Sequence, residues 1–140
     1  LDAPRAPSGK RQSVSEVHAI DQFLASECPQ DYAILTPYHG QRNLLSRSFP
    51  KAAKDGRILT VHASQGREWD TLIFSPVDNN SGSLWFANSL LQASRGKAVI
   101  NTAISRAKRQ LVIACDREFW ESRPEQLIAQ LIDAETAFSR

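Results

Sequence analysis

Gln110-Leu-Val-Ile-Ala-Cys115 decides the fold. Five apolar residues follow the glutamine with no polar residue at alternate positions. A half-buried strand alternates apolar and polar side chains, whereas an unbroken apolar run is the pattern of a strand covered on both faces, as in parallel sheets. Working outward, three more short β-prone runs appear: Tyr32-Ala-Ile-Leu-Thr36, stopped by Pro37; Ile58-Leu-Thr-Val-His62; and Thr71-Leu-Ile-Phe-Ser75, bounded by Pro76. β-branched and aromatic residues between prolines and polar clusters give the same reading.

Between these runs lie helical spacings. Ser13 or Ser15 caps a helix, with Glu16 placed three residues after Ser13 as in a capping box. Val17, Ile20, Phe23 and Leu24 then recur at helical intervals as far as Cys28-Pro29. Leu44, Leu45 and Phe49 mark a second helix, predicted to end before Pro50. Ala63 to Asp70 reads as a polar loop with one glycine, and Asp78 to Gly96 as an irregular excursion holding an apolar island around Trp85 and Phe86. Ala98 to Lys108 has helical spacing, and Pro124 opens a last helix with a stripe of Leu127, Ile128, Leu131 and Ile132. Leu1 to Gln12, with two prolines, a glycine and three cations, reads as a linker or arm, leaving 13–140 as the domain. The order is helix, strand, helix, strand, strand, helix, strand, helix: an α/β fold with a mostly parallel central sheet and helices on both faces. In such sheets ligands lie beyond the carboxyl ends of the strands, which directs attention to the polar residues after each run.

The bulk properties suit one globular domain. The chain has 140 residues, 41% of them hydrophobic, and no stretch approaches the roughly 20 apolar residues of a membrane span. It contains no methionine and no apolar leader, which suggests a piece of a longer protein. Cys28 and Cys115 belong to no CxxC pair, which argues against a zinc site and leaves a reducing, cytoplasmic setting as the expectation. A formal charge of +2 is too small to announce nucleic-acid binding. Its distribution is more informative: Arg95, Lys97, Arg106, Lys108 and Arg109 bring five cations into fifteen residues without an acid. By composition alone that is a solvated basic face.

Three segments carry chemistry: Ile34-Leu-Thr-Pro-Tyr-His-Gly-Gln41; Leu59-Thr-Val-His-Ala-Ser-Gln-Gly-Arg-Glu-Trp-Asp70; and Asn101-Thr-Ala-Ile-Ser-Arg-Ala-Lys-Arg109. Together they resemble motifs IV, V and VI of superfamily 1 helicases, in that order, with the RecD-like and DNA2-NAM7-like branch as the nearest pattern. The second segment is the most specific and the first the weakest. The resemblance covers Tyr32 to Cys115, three-fifths of the chain. It implies a RecA-like three-layer sandwich, the second (C-terminal) motor domain of an ATP-dependent DNA or RNA motor.

By that resemblance Arg106 is the arginine finger, a cation set against the γ-phosphate that contributes roughly 10³–10⁵ in rate where such fingers are known. From the residues alone, an arginine on an isolated Arg-Ala-Lys-Arg helix reads as a surface cation paired with a carboxylate, and it is the second segment upstream that favours the finger. Gly66 lets the backbone turn sharply and approach a ligand. Glu68 would project into the same cleft, toward the nucleotide or toward Arg106. Gln41 would brace that cleft, and Arg109 reads as a supporting or surface cation one helical turn on. Thr60 and His62 alternate with Leu59 and Val61, so they are expected on one side of the strand. With Ser64 and Gln65, the resemblance assigns them to the phosphate backbone of a bound single strand, contacts that do not read bases.

Neither a GxxxxGK[ST] phosphate loop nor a magnesium-binding acid pair is present in the sequence. ATP with Mg²⁺ would therefore be held mainly by a first RecA-like domain, and this chain alone should not hydrolyse ATP. No metal ligands are assigned. The expected partners are that first domain and single-stranded DNA or RNA, not a membrane. The alternative is a non-catalytic RecA-like module that binds nucleic acid or protein.

Overall fold

In the computed structural model, residues 12–77 and 101–115 are described. Four strands form one sheet in the order β2-β1-β3-β4: β1 (Tyr32–Thr36), β2 (Ile58–Thr60), β3 (Trp69–Phe74) and β4 (Ala107–Ile113). All three pairings are parallel. The α/β architecture read from the apolar runs is thus the observed one, and it is consistent with a RecA-like sandwich.

The period of two along each strand explains why both faces need cover. Ala33 and Leu35 of β1, Leu72 and Phe74 of β3, and Ile113 of β4 belong to one buried cluster. Their alternates Ile34, Ile73 and Val112 belong to another. The second cluster is closed by α1 (Val14–Glu27), α2 (His39–Ser48) and α3 (Pro50–Lys54), through Val17, Ile20 and Phe23, Leu45, and Ala52. The first is closed by Val61, Trp69 and Ala103, with Tyr38 and Ile104 packed against them. Helix, sheet, and loop with helix make the three layers.

The helix at 13 begins as expected: Ser13 is the N-cap, and its Oγ accepts from Glu16 N at 3.2 Å. Elsewhere local chemistry moves the boundaries. α2 ends before Pro50, but Pro50 opens the five-residue α3, a first-turn position where its missing N–H costs nothing. β2 stops at Thr60 instead of running to His62. Val61 turns into the right-handed helical region, and His62–Ser64 form one 3₁₀ turn. Thr60 Oγ1 accepts from Ala63 N at 3.4 Å and Ser64 Oγ donates to Val61 O at 2.6 Å, local bonds that compete with further pairing. Thr60 and His62 therefore do not share a strand face: Thr60 is buried and His62 exposed.

The polar loop also ends early, since Trp69 and Asp70 are already part of β3. The helix expected to reach Lys108 is helical over 101–104 and closes with Arg106 N donating to Ala103 O at 3.1 Å and Ser105 Oγ to Thr102 O at 2.7 Å. Ala107, Lys108 and Arg109 are the start of β4, recruited by pairing with β3. Tertiary pairing overrides the helical spacing there. The excursion from Asp78 and the helix from Pro124 lie outside the described residues, as do the arm at 1–11, Arg95 and Lys97. Among the described residues no helix is long and apolar enough to cross a membrane.

Candidate functional site

The chain from Val61 to Glu68 leaves the carboxyl end of β2 and returns to the amino end of β3, because the two strands are parallel with β1 between them. It crosses the sheet on the face closed by Val61 and Trp69. Gly66 makes the last bend with φ +75°, a left-handed conformation that favours glycine, and open space surrounds the position where a Cβ would stand. Its neighbours Gln65, Arg67 and Glu68 are exposed. Arg67 lies over the Trp69 ring, its guanidinium carbon 4.9 Å from the centroid, and so covers the outer side of an indole that is otherwise buried.

At Trp69 the loop meets Arg106. Trp69 N donates to Arg106 O at 2.9 Å, and Trp69 and Ala107 are paired residues in the ladder. Glu68 and Arg106 thus directly precede paired residues at the amino ends of adjacent strands, which brings Gly66, Glu68 and Arg106 to one edge. This is not the carboxyl edge that the general rule for open sheets pointed to. Arg106 sits in the turn between the helical residues and β4, half-buried, and its Nε is enclosed without a hydrogen-bond partner among the described residues. A buried donor left unmade costs about 1–3 kcal/mol, so an uncompensated one is a place to look for a ligand.

Beyond Arg106 the ladder carries a bulge, since the register passes from Trp69↔Ala107 to Thr71↔Gln110. Lys108 and Arg109 both come to face Asp70 there, with N–O distances of 4.0 and 3.8 Å. Asp70 N is tied to Asp31 Oδ2 at 3.0 Å. The Arg109 side chain is 82% exposed, so this ion pair is screened and contributes little to stability.

The remaining predicted positions divide between inside and outside. Thr60 and Ser64 are buried and their hydroxyls close the turn that follows β2. His62 and Gln65 face solvent on the same turn. Gln41 is elsewhere: it is completely buried near the carboxyl end of β3, roughly 20 Å along the strand from Trp69 at about 3.3 Å per residue. Its Oε1 accepts from Ser13 N at 2.8 Å, and its Nε2 donates to Ser13 O at 3.2 Å and Ser75 Oγ at 3.0 Å.

Glu16 shares that network, a role its sequence position disguised. Its buried carboxyl accepts from Ser75 Oγ at 2.6 Å and from Val77 N at 3.1 Å. The capping-box spacing accounted for Glu16 as a helix-start residue. A second signal was available, because Glu16 is four residues before Ile20 and therefore on the apolar stripe of α1, where a carboxyl must find partners. Trp69 and Ser75 were likewise not singled out, since a backbone N–H and a hydroxyl after a strand leave no pattern. Among the described residues no group of three or more His, Cys, Asp or Glu is placed to hold a metal ion.

A family model described as an AAA domain matches residues 10–118. The DNA replication ATP-dependent helicase/nuclease DNA2 of Saccharomyces cerevisiae is 33% identical over 111 residues, covering 78% of this chain and 7% of that protein. The regulator of nonsense transcripts 1 homolog of Neurospora crassa is 31% identical over 111 residues, covering 70% of this chain and 10% of its own. The DNA-binding protein SMUBP-2 of Rattus norvegicus is 33% identical over 87 residues, covering 61% and 8%. The chain spans a tenth or less of the length of these relatives.

Proposed function

Because the chain belongs to the AAA domain family, we propose that it is the second RecA-like motor domain of an ATP-dependent DNA or RNA helicase or translocase. The observation that carries this reading is the seam between Trp69 and Arg106. It joins the end of the Gly66–Glu68 loop to an arginine whose Nε is enclosed and unpartnered among the described residues. In this reading Arg106 is the finger and faces a nucleotide held by a first RecA-like domain. Glu68 stands beside it, and Gly66 keeps the approach clear.

The residues fit one edge of a nucleotide site rather than a whole one. The enclosed guanidinium nitrogen suits an anionic ligand, while the sequence has no phosphate loop and the described residues no metal cluster. ATP with Mg²⁺ would supply the transferable phosphoryl group. What this chain adds is a fixed positive charge, positioned by the β3–β4 pairing. Arg109, paired with Asp70, would support the potential of that edge. Gln41 would act at a distance, by fixing α1 and α2 to the sheet.

The turn after β2 would carry the strand-binding part. His62 and Gln65 are exposed and can donate to phosphate oxygens, while Thr60 and Ser64 shape the turn that presents them. One continuous loop, Val61 to Glu68, would then touch the nucleic acid at one end and the nucleotide edge at the other. That continuity gives a physical route from ATP turnover to movement.

The test is Arg106→Ala in the full-length polypeptide. ATP binding should persist while strand-stimulated ATPase falls by about 10³-fold or more. Unchanged turnover would remove the finger assignment and favour a non-catalytic binding module.

A further inference from the structure

We infer that Glu16 is a positioning residue whose buried carboxyl holds Val77 in the left-handed backbone conformation and so sets the course of the chain as it leaves β3. Val77 has φ +68°, is β-branched and is 7% exposed. A β-branched residue rarely adopts this conformation, because its Cβ substituents crowd the backbone, and it persists only where the surroundings hold it. The other positive-φ residues in the described chain differ: Gly56 and Gly66 have no Cβ, and Cys28 ends a helix.

The surroundings of Val77 supply the holding group. Ser75 N still belongs to the sheet and donates to Leu35 O at 2.8 Å. Pro76 has no N–H to give, and it biases Ser75 toward an extended backbone. Val77 N is the next donor, and both Glu16 carboxyl oxygens lie 3.1 Å from it. The carboxyl is itself fixed from two sides. Ser75 Oγ donates to it at 2.6 Å, and the helix cap at Ser13 fixes the first turn of α1 from which it projects. Gln41 ties that cap to Ser75 through Ser13 N, Ser13 O and Ser75 Oγ. Three consecutive residues after β3 are thereby constrained by three different means. The one that opposes an intrinsic backbone preference depends on a side chain 61 residues away in the sequence.

The experiment compares Val77→Gly with Val77→Ala, each in the native chain and in Glu16→Ala, by thermal unfolding. Both substitutions remove the valine side chain, but only glycine is free at positive φ. With Glu16 present, Val77→Gly should unfold a few degrees above Val77→Ala. With Glu16→Ala the order should reverse to the usual advantage of alanine, because the backbone is no longer held. Amide exchange at Val77 gives a second readout in Glu16→Gln, which keeps one oxygen and the side-chain volume. Exchange there should quicken by about fivefold or more, the loss expected when a buried hydrogen bond is weakened. Where Glu16→Ala does not fold, Glu16→Gln replaces it in the unfolding series, with a narrowed glycine advantage expected. A glycine–alanine order indifferent to residue 16, or a Val77 amide as slow in Glu16→Gln as in the native chain, would overturn the inference.

Discussion

The two ends of the sheet handle their polar groups in opposite ways. At the carboxyl end of β3, Gln41, Glu16, Ser13 and Ser75 are each at most 2% exposed, and the amide of Gln41 is engaged at both its oxygen and its nitrogen. At the amino ends of β3 and β4, Glu68 is in solvent and Arg106 keeps an enclosed nitrogen that no described residue meets. A closed network contributes rigidity and leaves nothing for a ligand. An incomplete one costs stability and leaves a group to be completed from outside. The contrast separates Gln41, a motif residue that builds the domain, from Glu68 and Arg106, the motif residues proposed to act on a nucleotide.

Substitutions should break that contrast in order. Gln41→Ala strands Ser13 N in the interior, while Ser13 O keeps Val17 N and Ser75 Oγ keeps Glu16, so urea denaturation should register a loss of about 1–3 kcal/mol, the cost of one buried group left unsatisfied. Gly66→Ala meets open space yet must hold φ +75°, and a loss of about 1 kcal/mol is expected in the same assay. A value near zero would mean that the loop relaxes, and with it the seam to Arg106. Asp70→Asn should change stability by less than about 0.5 kcal/mol, a difference that fades as salt is raised, because its ion pairs are exposed. Arg106→Ala is expected to leave the unfolding midpoint unchanged or slightly raised, since it removes an unpartnered donor, while the proposed ATPase of the full-length protein is lost. Stability and turnover moving together at Arg106 would erase the distinction between the two ends.

The fold was legible because its signal is repeated. Ala33–Leu35, Leu72–Phe74 and Leu111–Ile113 are apolar at successive positions, and only a sheet covered on both faces buries both sets. Boundaries were legible where a single side chain sets them, as at Ser13, and not where two influences compete. The stretch from Ala98 to Lys108 has the spacing of a helix, and pairing with β3 takes its last two residues for a strand. Ile58–His62 has the alternation of a strand, and two hydroxyls, those of Thr60 and Ser64, close it into a turn. Arg106 and Glu68 could be nominated by motif, but their adjacency depends on the β3–β4 register, which no local pattern encodes. Glu16 was hidden for the converse reason: the cap gave it a sufficient local explanation.

The parallel ladder also has a kinetic consequence. Bonds joining its strands connect partners 25 residues apart at Arg57 and Tyr32, and 39 apart both at Asp70 and Asp31 and at Thr71 and Gln110. None of these contacts can form until a long loop has closed, and loop closure is unfavourable before the sheet offsets it. The helices can form early from neighbouring residues, while β3 waits for β1 on one side and β4 on the other. Refolding should therefore be slow for a chain of this size. The seam at Trp69 and Arg106 should appear with the sheet and after the helices, so a refolding chain would gain its helices before its proposed catalytic edge.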